Sequence, residues 1–167
     1  HQTVPPMDRD ESRFAQASRQ MVESGDLVTI RFQDELRAKK PAGIYWLQSA
    51  AAALFGTDDI ASYRLPSLLA MLLTVIGTYR VARTLYKRPR ALLAAAACGG
   101  SLLVFAEAHL AKTDSVLMLL CLMQQWGLMR IYQAWQHGRR LSYNSYLWVW
   151  LPMAAAILVK GPVAPLL

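Results

Sequence analysis

Acidic residues are scarce through most of this chain of 167 residues. Nine of the eleven precede Leu65, and only Glu107 and Asp114 follow it, against eighteen lysines and arginines in all. Cysteine is scarcer still. Cys98 and Cys121 both lie inside apolar runs, so no disulfide framework and no cysteine-based metal site is indicated. There is no P-loop, no glycine-rich dinucleotide fingerprint and no zinc-ligand spacing, which leaves nucleotide-driven chemistry without support. The first residues are polar, proline-rich and acidic, unlike the basic start and apolar stretch of a signal peptide. No internal repeat is visible. At 54% hydrophobic and 17% charged, the chain is neither disordered nor collagen-like.

What is present is four uncharged apolar stretches: Leu65–Tyr79, Ala91–Ala106, Ser115–Met129 and Leu141–Val159. Flanking residues extend the shorter ones toward the roughly 20 apolar residues that a spanning helix needs. The alternative, buried helices of a large soluble enzyme, fits their number and length less well. The formal charge of +7 is gathered at the ends of these runs, with Arg80, Arg83, Lys87, Arg88 and Arg90 in one place and Arg139 and Arg140 in another. This is the placement expected beside membrane spans, whereas a nucleic-acid-binding face would show one stripe, so nucleic acid is not an expected partner. With four consecutive spans the two basic loops share one side, which their lysines and arginines mark as cytoplasmic. Residues 1–60, the Glu107–Asp114 loop and the Lys160-Gly161-Pro162 end of the last run then fall together on the opposite face. The expected organisation is an outer loop over residues 1–60, with amphipathic helices, followed by a membrane region over residues 61–167.

Within that outer loop a helix is expected from about Asp10 to Ser24. Asp8 or Asp10 can cap it, and Gly25 ends it. Leu27–Phe32 alternates and reads as extended. Pro41–Phe55 reads as a second helix, with Tyr45 and Trp46 suited to a headgroup zone.

Several residues in these segments can carry chemistry, and each has a structural reading beside it. Asp10 and Glu11 sit where acids favour a helix start, and a carboxylate held at a membrane surface can also act as a base or bind a metal. Lys39 and Lys40 either anchor at headgroups or contact phosphate. Asp114 is a good cap for the run that follows it. Lys160 follows nineteen uncharged residues and precedes a Gly-Pro break, and ionisable groups at such places serve function or snorkel to the surface. Glu107 and His109 lie on the same outer side.

Asp10-Glu11-Ser12-Arg13-Phe14-Ala15, Met21-Val22-Glu23-Ser24-Gly25-Asp26, and Lys40-Pro41 followed by Tyr45-Trp46-Leu47 resemble the first outer loop of the GT-C glycosyltransferases. The nearest groups are bacterial transferases related to protein O-mannosyltransferases and to the lipid A aminoarabinose transferase. Lys112-Thr113-Asp114 and Val159-Lys160-Gly161-Pro162 fit the same pattern in the same order, so the resemblance covers nearly the whole chain. It implies an all-α, multi-span helical bundle with periplasmic loop helices. It also implies transfer of a sugar from a polyprenyl-phosphate donor to a lipid, protein or glycan acceptor on the periplasmic face of a bacterial inner membrane. Asp10 matches the catalytic base, and Asp114 a second acidic position of the site. Lys40 and Lys160 match lysines that meet the donor phosphate, and Glu11, Arg13, Lys39 and Tyr45 fall among the substrate-binding positions. Lys39 stands where the aminoarabinose transferases carry Glu, which removes that carboxylate as a metal ligand and counts against aminoarabinose as the sugar. No cofactor is required, and a divalent metal is left open. Family members are longer, so the chain is expected to be an N-terminal fragment. The rival readings are a transporter or lipid-flippase fragment, in which Lys160 lines a pathway, and a non-catalytic membrane scaffold.

Overall fold

A computed structural model describes residues 9–33, 35–36 and 40–166. In chain order these form α1 (Arg9–Ser24), a small hairpin of β1 (Arg31–Phe32) and β2 (Glu35–Leu36), α2 (Gly43–Phe55), α3 (Ile60–Leu85), α4 (Arg88–Gly99), α5 (Leu102–Ala108), α6 (Asp114–Gln136) and α7 (Tyr143–Lys160). A single 3₁₀ turn follows at Ala164–Leu166. The described residues are therefore mostly helical. The extended stretch expected over Leu27–Phe32 narrows to Arg31–Phe32, which pairs antiparallel with Glu35–Leu36.

Local sequence explains most of the boundaries. Gly25 adopts φ +68°, a left-handed conformation that side chains disfavour, and its N–H donates to Met21 O to close α1. Asp59 caps α3 by accepting from Ala61 N at 2.9 Å. Pro89 sits in the first turn of α4, where its missing N–H costs nothing. Asp8, the other expected cap of α1, lies outside the described residues.

The expected run Ala91–Ala106 is not one straight helix. It breaks at Gly99-Gly100-Ser101 into α4 and α5, which meet at a bend of 60°. Paired glycines with a following serine withdraw the helical preference that the flanking alanines and leucines supply. Among the described residues, α3 alone is both long and apolar enough to cross a membrane, and α4 with α5 passes as one bent pair. The helices α6 and α7 reach 23 and 18 residues but not the hydropathy, so the expected four spans are met in part.

A shared core ties the N-terminal helices to the long ones. Phe14, Ala17 and Met21 of α1 pack with Ile44 and Tyr45 of α2, Ala70 of α3, Val116 of α6 and Val159 of α7. Tyr45 is fully enclosed, its ring 5.4 Å from that of Phe14, so the headgroup position expected for it is not where the structure puts it. Trp46 is half exposed and donates from Nε1 to Leu27 O at 2.8 Å.

The helix α2 buries Ile44, Tyr45 and Ala52, yet two of its polar residues are also inside and much of its apolar surface is outside. Gln48 and Ser49 are buried, while Trp46, Leu47, Ala50, Ala53, Leu54 and Phe55 form an exposed apolar stripe.

Two glycines set the close approaches to α7. A Cβ on Gly43 would lie 2.6 Å from Leu158 O, and one on Gly127 would lie 2.8 Å from Trp148 O. Both carbonyls are ones from which proline withdraws the helical donor, Pro162 following Leu158 by four residues and Pro152 following Trp148 likewise. A glycine backbone thus covers each of the two carbonyls that proline leaves open.

Candidate active site at one end of the helices

The α5–α6 connection is held by polar side chains from three other helices. Glu11 in the first turn of α1 is 0% exposed, and Arg64 of α3 is 6% exposed. Arg64 Nε donates to Glu11 Oε1 at 2.6 Å and Nη2 to Oε2 at 3.1 Å, the paired geometry that makes arginine–carboxylate contacts strong. The same Oε1 accepts the Ala111 N–H at 3.1 Å. On the other side of that residue, Gln48 Nε2 of α2 donates to Ala111 O at 3.1 Å. Gln48 Oε1 in turn accepts from Ser18 Oγ of α1 at 2.8 Å. Both peptide groups of one fully buried alanine are therefore clasped by side chains from α1 and α2. Ser67 of α3 adds a bond to Lys112 O at 3.3 Å, and Ser115 of α6 one to Glu107 O at 2.8 Å. A buried charge is tolerable only when paired and hydrogen-bonded, and Glu11 meets both conditions.

Three residues beyond Ala111 stands Asp114, within reach of about 11 Å along the chain. It is the first residue of α6, with Thr113 in the cap position and making no capping bond through its side chain. The expected capping role is thus not the one observed. The Asp114 carboxylate instead pairs with Nζ of Lys160, the last residue of α7. Both side chains are partly exposed, at 41% and 29%. Gly161, at φ +81°, ends α7 immediately after the lysine, and its N–H donates to Ile157 O.

The remaining expected residues fall around this pair in different ways. Asp10 precedes Glu11 on α1 and is exposed, with Arg13 Nη1 3.8 Å from its Oδ1. Because Glu11 grips the loop that leads into α6, Asp10 is brought to the same end of the helices as Asp114. Lys40 is half-buried three residues before Gly43, whose backbone lies against Leu158 and Val159 just before Lys160. Lys39 lies outside the described residues. Glu11 faces Arg64 and the Ala111 peptide, and Tyr45 faces the core. Among the described residues, no three His, Cys, Asp or Glu side chains assemble as a metal would require.

Toward the other end of α1 from Asp10 and Glu11, an open apolar groove of about 500 Å³ runs between the end of α1 and α2, lined by Met21, Val22, Leu27, Val28 and Trp46 among others. The turn that carries Leu27 and Val28 is held by Asp26, whose Oδ1 accepts the backbone N–H of Thr29 and of Val28, each at 2.9 Å. These bonds, that from Thr29 first, hold the carboxyl below its usual range.

Arg64, Gln48 and Ser18 were not singled out by sequence. One signal was available for Arg64: an arginine inside an otherwise apolar helix requires a carboxylate when buried.

The chain belongs to the family of dolichyl-phosphate-mannose-protein mannosyltransferases, whose sequence model matches residues 39–167. The glycosyltransferase resemblance read from the sequence is borne out by this match and by the relatives. One is the undecaprenyl phosphate-alpha-4-amino-4-deoxy-L-arabinose arabinosyl transferase 2 of Pseudomonas fluorescens, 38% identical over 87 residues, which make up 52% of this chain and 15% of that protein. The corresponding transferase of Erwinia tasmaniensis is 29% identical over 160 residues, 93% of this chain and 28% of its own length. Among solved structures, ArnT from Cupriavidus metallidurans in the apo state matches with a TM-score of 0.80 and 26% identity, over 98% of this chain and 29% of that one. The form bound to undecaprenyl phosphate matches with a TM-score of 0.71 and 28% identity, over 96% and 29%. The chain thus spans less than a third of the length of each of these proteins.

Proposed function

We propose that this chain forms part of a multi-span membrane glycosyltransferase that takes a sugar from a polyprenyl-phosphate donor on the periplasmic face of a bacterial inner membrane. The observation that carries the reading is the Asp114–Lys160 pair, joined through the Ala111 loop to the α1 turn that bears Asp10. Family membership and the likeness to a structure bound to undecaprenyl phosphate support the donor class.

The chemistry assigns each group a task. An acceptor hydroxyl attacks the anomeric carbon while Asp10 takes its proton. The bond between that carbon and the phosphate oxygen breaks, and the lipid phosphate leaves with the electron pair. Lys160 and Lys40 stabilise the charge that develops on it, and Asp114 orients Lys160. The exposed stripe of α2 and the apolar groove beside it offer surface to a lipid-linked molecule. Orientation follows from charge. The basic residues of the α3–α4 turn and Arg139-Arg140 between α6 and α7 lie at the helix ends opposite the site, which supports an outward-facing site by the positive-inside rule. The acceptor is a lipid, protein or glycan hydroxyl.

The test incubates membranes containing the protein with a labelled polyprenyl-phosphate sugar. Release of free lipid phosphate, abolished by Asp10→Asn, supports transfer. Movement of intact donor across the membrane without cleavage supports a flippase instead, and unchanged turnover in Asp10→Asn removes the base assignment.

A further inference from the structure

We propose that Glu11, Arg64 and Gln48 are positioning residues, which fix the α5–α6 loop by its peptide groups and so set where Asp114 begins α6 and meets Lys160. As a deeper reading of the same site, this rests on the transferase function proposed above.

Three observations carry it. First, Glu11 and Gln48 are both 0% exposed, and their polar atoms are committed to Arg64, Ala111 and Ser18. Glu11 adjoins the proposed base in sequence, yet its carboxylate is closed off from any substrate. Second, the contacts are made to the backbone of Ala111, through both its N–H and its C=O. Two bonds on opposite sides of one residue fix the rotation of the peptide planes on either side of it. Lys112 and Thr113 then leave little slack before Asp114; Ser67 fastens that short path at Lys112 O, and Ser115 ties the start of α6 back to Glu107 O at the end of α5. Third, the holding groups come from α1, α2 and α3, so the loop records the relative placement of all three. A displacement of α1 that moves Asp10 must also pull on Ala111. The cluster therefore couples the proposed base on α1 to the acid–lysine pair on α6 and α7.

Catalytic geometry tolerates little looseness, since about 1 Å of misplacement can cost around 100-fold in rate. A positioning residue lowers turnover while leaving the donor's affinity almost untouched, whereas a residue touching the donor phosphate moves both.

The test compares the parent protein, purified in detergent, with Glu11→Gln and Gln48→Met by two measurements. Hydrogen exchange is followed on peptides covering residues 107–117, and donor turnover is followed by release of lipid phosphate. In Glu11→Gln, exchange of the loop is expected to quicken by about tenfold or more while α3 and α7 stay protected, since a buried peptide loses its charged acceptor. The kcat is expected to fall by at least about tenfold, with the donor KM within about twofold of the parent value. Loop exchange equal to the parent's in both variants overturns the proposal whatever the activity shows, and a KM that rises in step with the loss of kcat overturns it in favour of a direct donor contact. Should Glu11→Gln loosen every helix, Gln48→Met decides, because it keeps the ion pair and removes only the donor to Ala111 O and the acceptor for Ser18. If the parent turns over no donor at all, the transferase reading fails, and quickened loop exchange still upholds the clasp.

Discussion

Lys160, the last residue of α7, holds the carboxylate of Asp114, the first residue of α6. The pair joins two helix ends of opposite polarity. A carboxylate at the N-terminus of α6 and an ammonium at the C-terminus of α7 are each favoured by the local helix dipole. At the same time each neutralises the other, which holds the lysine side chain in place at the end of α7. Asp114→Asn and Lys160→Ala are both expected to reduce sugar transfer by about 100-fold or more, the range seen when a preorganised charge is removed from a reacting centre. Because the pair is partly exposed, its coupling in a double-mutant cycle on stability is expected to be only about 1 kcal/mol. Thermal unfolding of the two single variants and the double variant gives the coupling, and lipid-phosphate release gives the activity.

The Glu11–Arg64 contact behaves differently because it is buried. Arg64→Leu alone leaves an uncompensated carboxylate and is expected to destabilise by about 3–5 kcal/mol. The double variant Glu11→Leu/Arg64→Leu removes that penalty but still strands the Ala111 N–H, so it is expected to recover all but about 1–3 kcal/mol. Denaturation midpoints in one detergent check both values. A double variant less stable than Arg64→Leu contradicts this account of the contact.

The glycines at the α7 contacts predict a graded series. Gly43→Ala and Gly127→Ala put a methyl group against backbone, at 2.6 and 2.8 Å from the Leu158 and Trp148 oxygens, and each is expected to cost about 1–3 kcal/mol. Gly77→Ala meets only the movable tip of Leu122, at 2.9 Å, and is expected to be much milder. The three melting temperatures should order accordingly.

Asp26 supplies a pH dependence outside the long helices. Its carboxyl is held below the usual range by the N–H groups of Thr29 and Val28. The stabilisation it gives the 26–29 turn is therefore fully present above the unfolded value of about 3.9 and is lost as pH falls through the lower folded value. Exchange of the Val28 and Thr29 amides, corrected for intrinsic rates, should quicken on acidification below about pH 4. In Asp26→Asn that step should vanish.

The helices were legible wherever local pattern decides them. The expected helix from Asp10 to Ser24 appears as Arg9–Ser24, and Pro41–Phe55 appears as Gly43–Phe55. Apolar runs identified the long helices because burial and periodicity are properties of neighbouring residues. The bend at Gly99-Gly100-Ser101 was written locally too, but the apolar count across it concealed it. What could not be read was pairing at a distance. Glu11 meets Arg64 across 53 residues and Ala111 across 100, and no local rule connects them. Tyr45 misled for a similar reason, since an aromatic near a helix start suits a headgroup zone unless a distant Phe14 closes over it. Asp114 and Lys160 were each marked as unusual, yet their contact depends on how α6 and α7 pack.

Because α2 keeps Gln48 and Ser49 inside beside Ile44 and Tyr45, and its leucines outside, tolerance to substitution at the glutamine and the leucines runs backwards. Gln48→Leu, which would improve the core of an ordinary domain, here strands a carbonyl of the α5–α6 loop. Leu54→Lys, harmless on an ordinary surface, disturbs no internal contact and changes only what the helix can rest against. A rule that prizes apolar cores and polar surfaces would therefore misrank substitutions at Gln48 and Leu54, while Ile44 and Tyr45 keep the ordinary order.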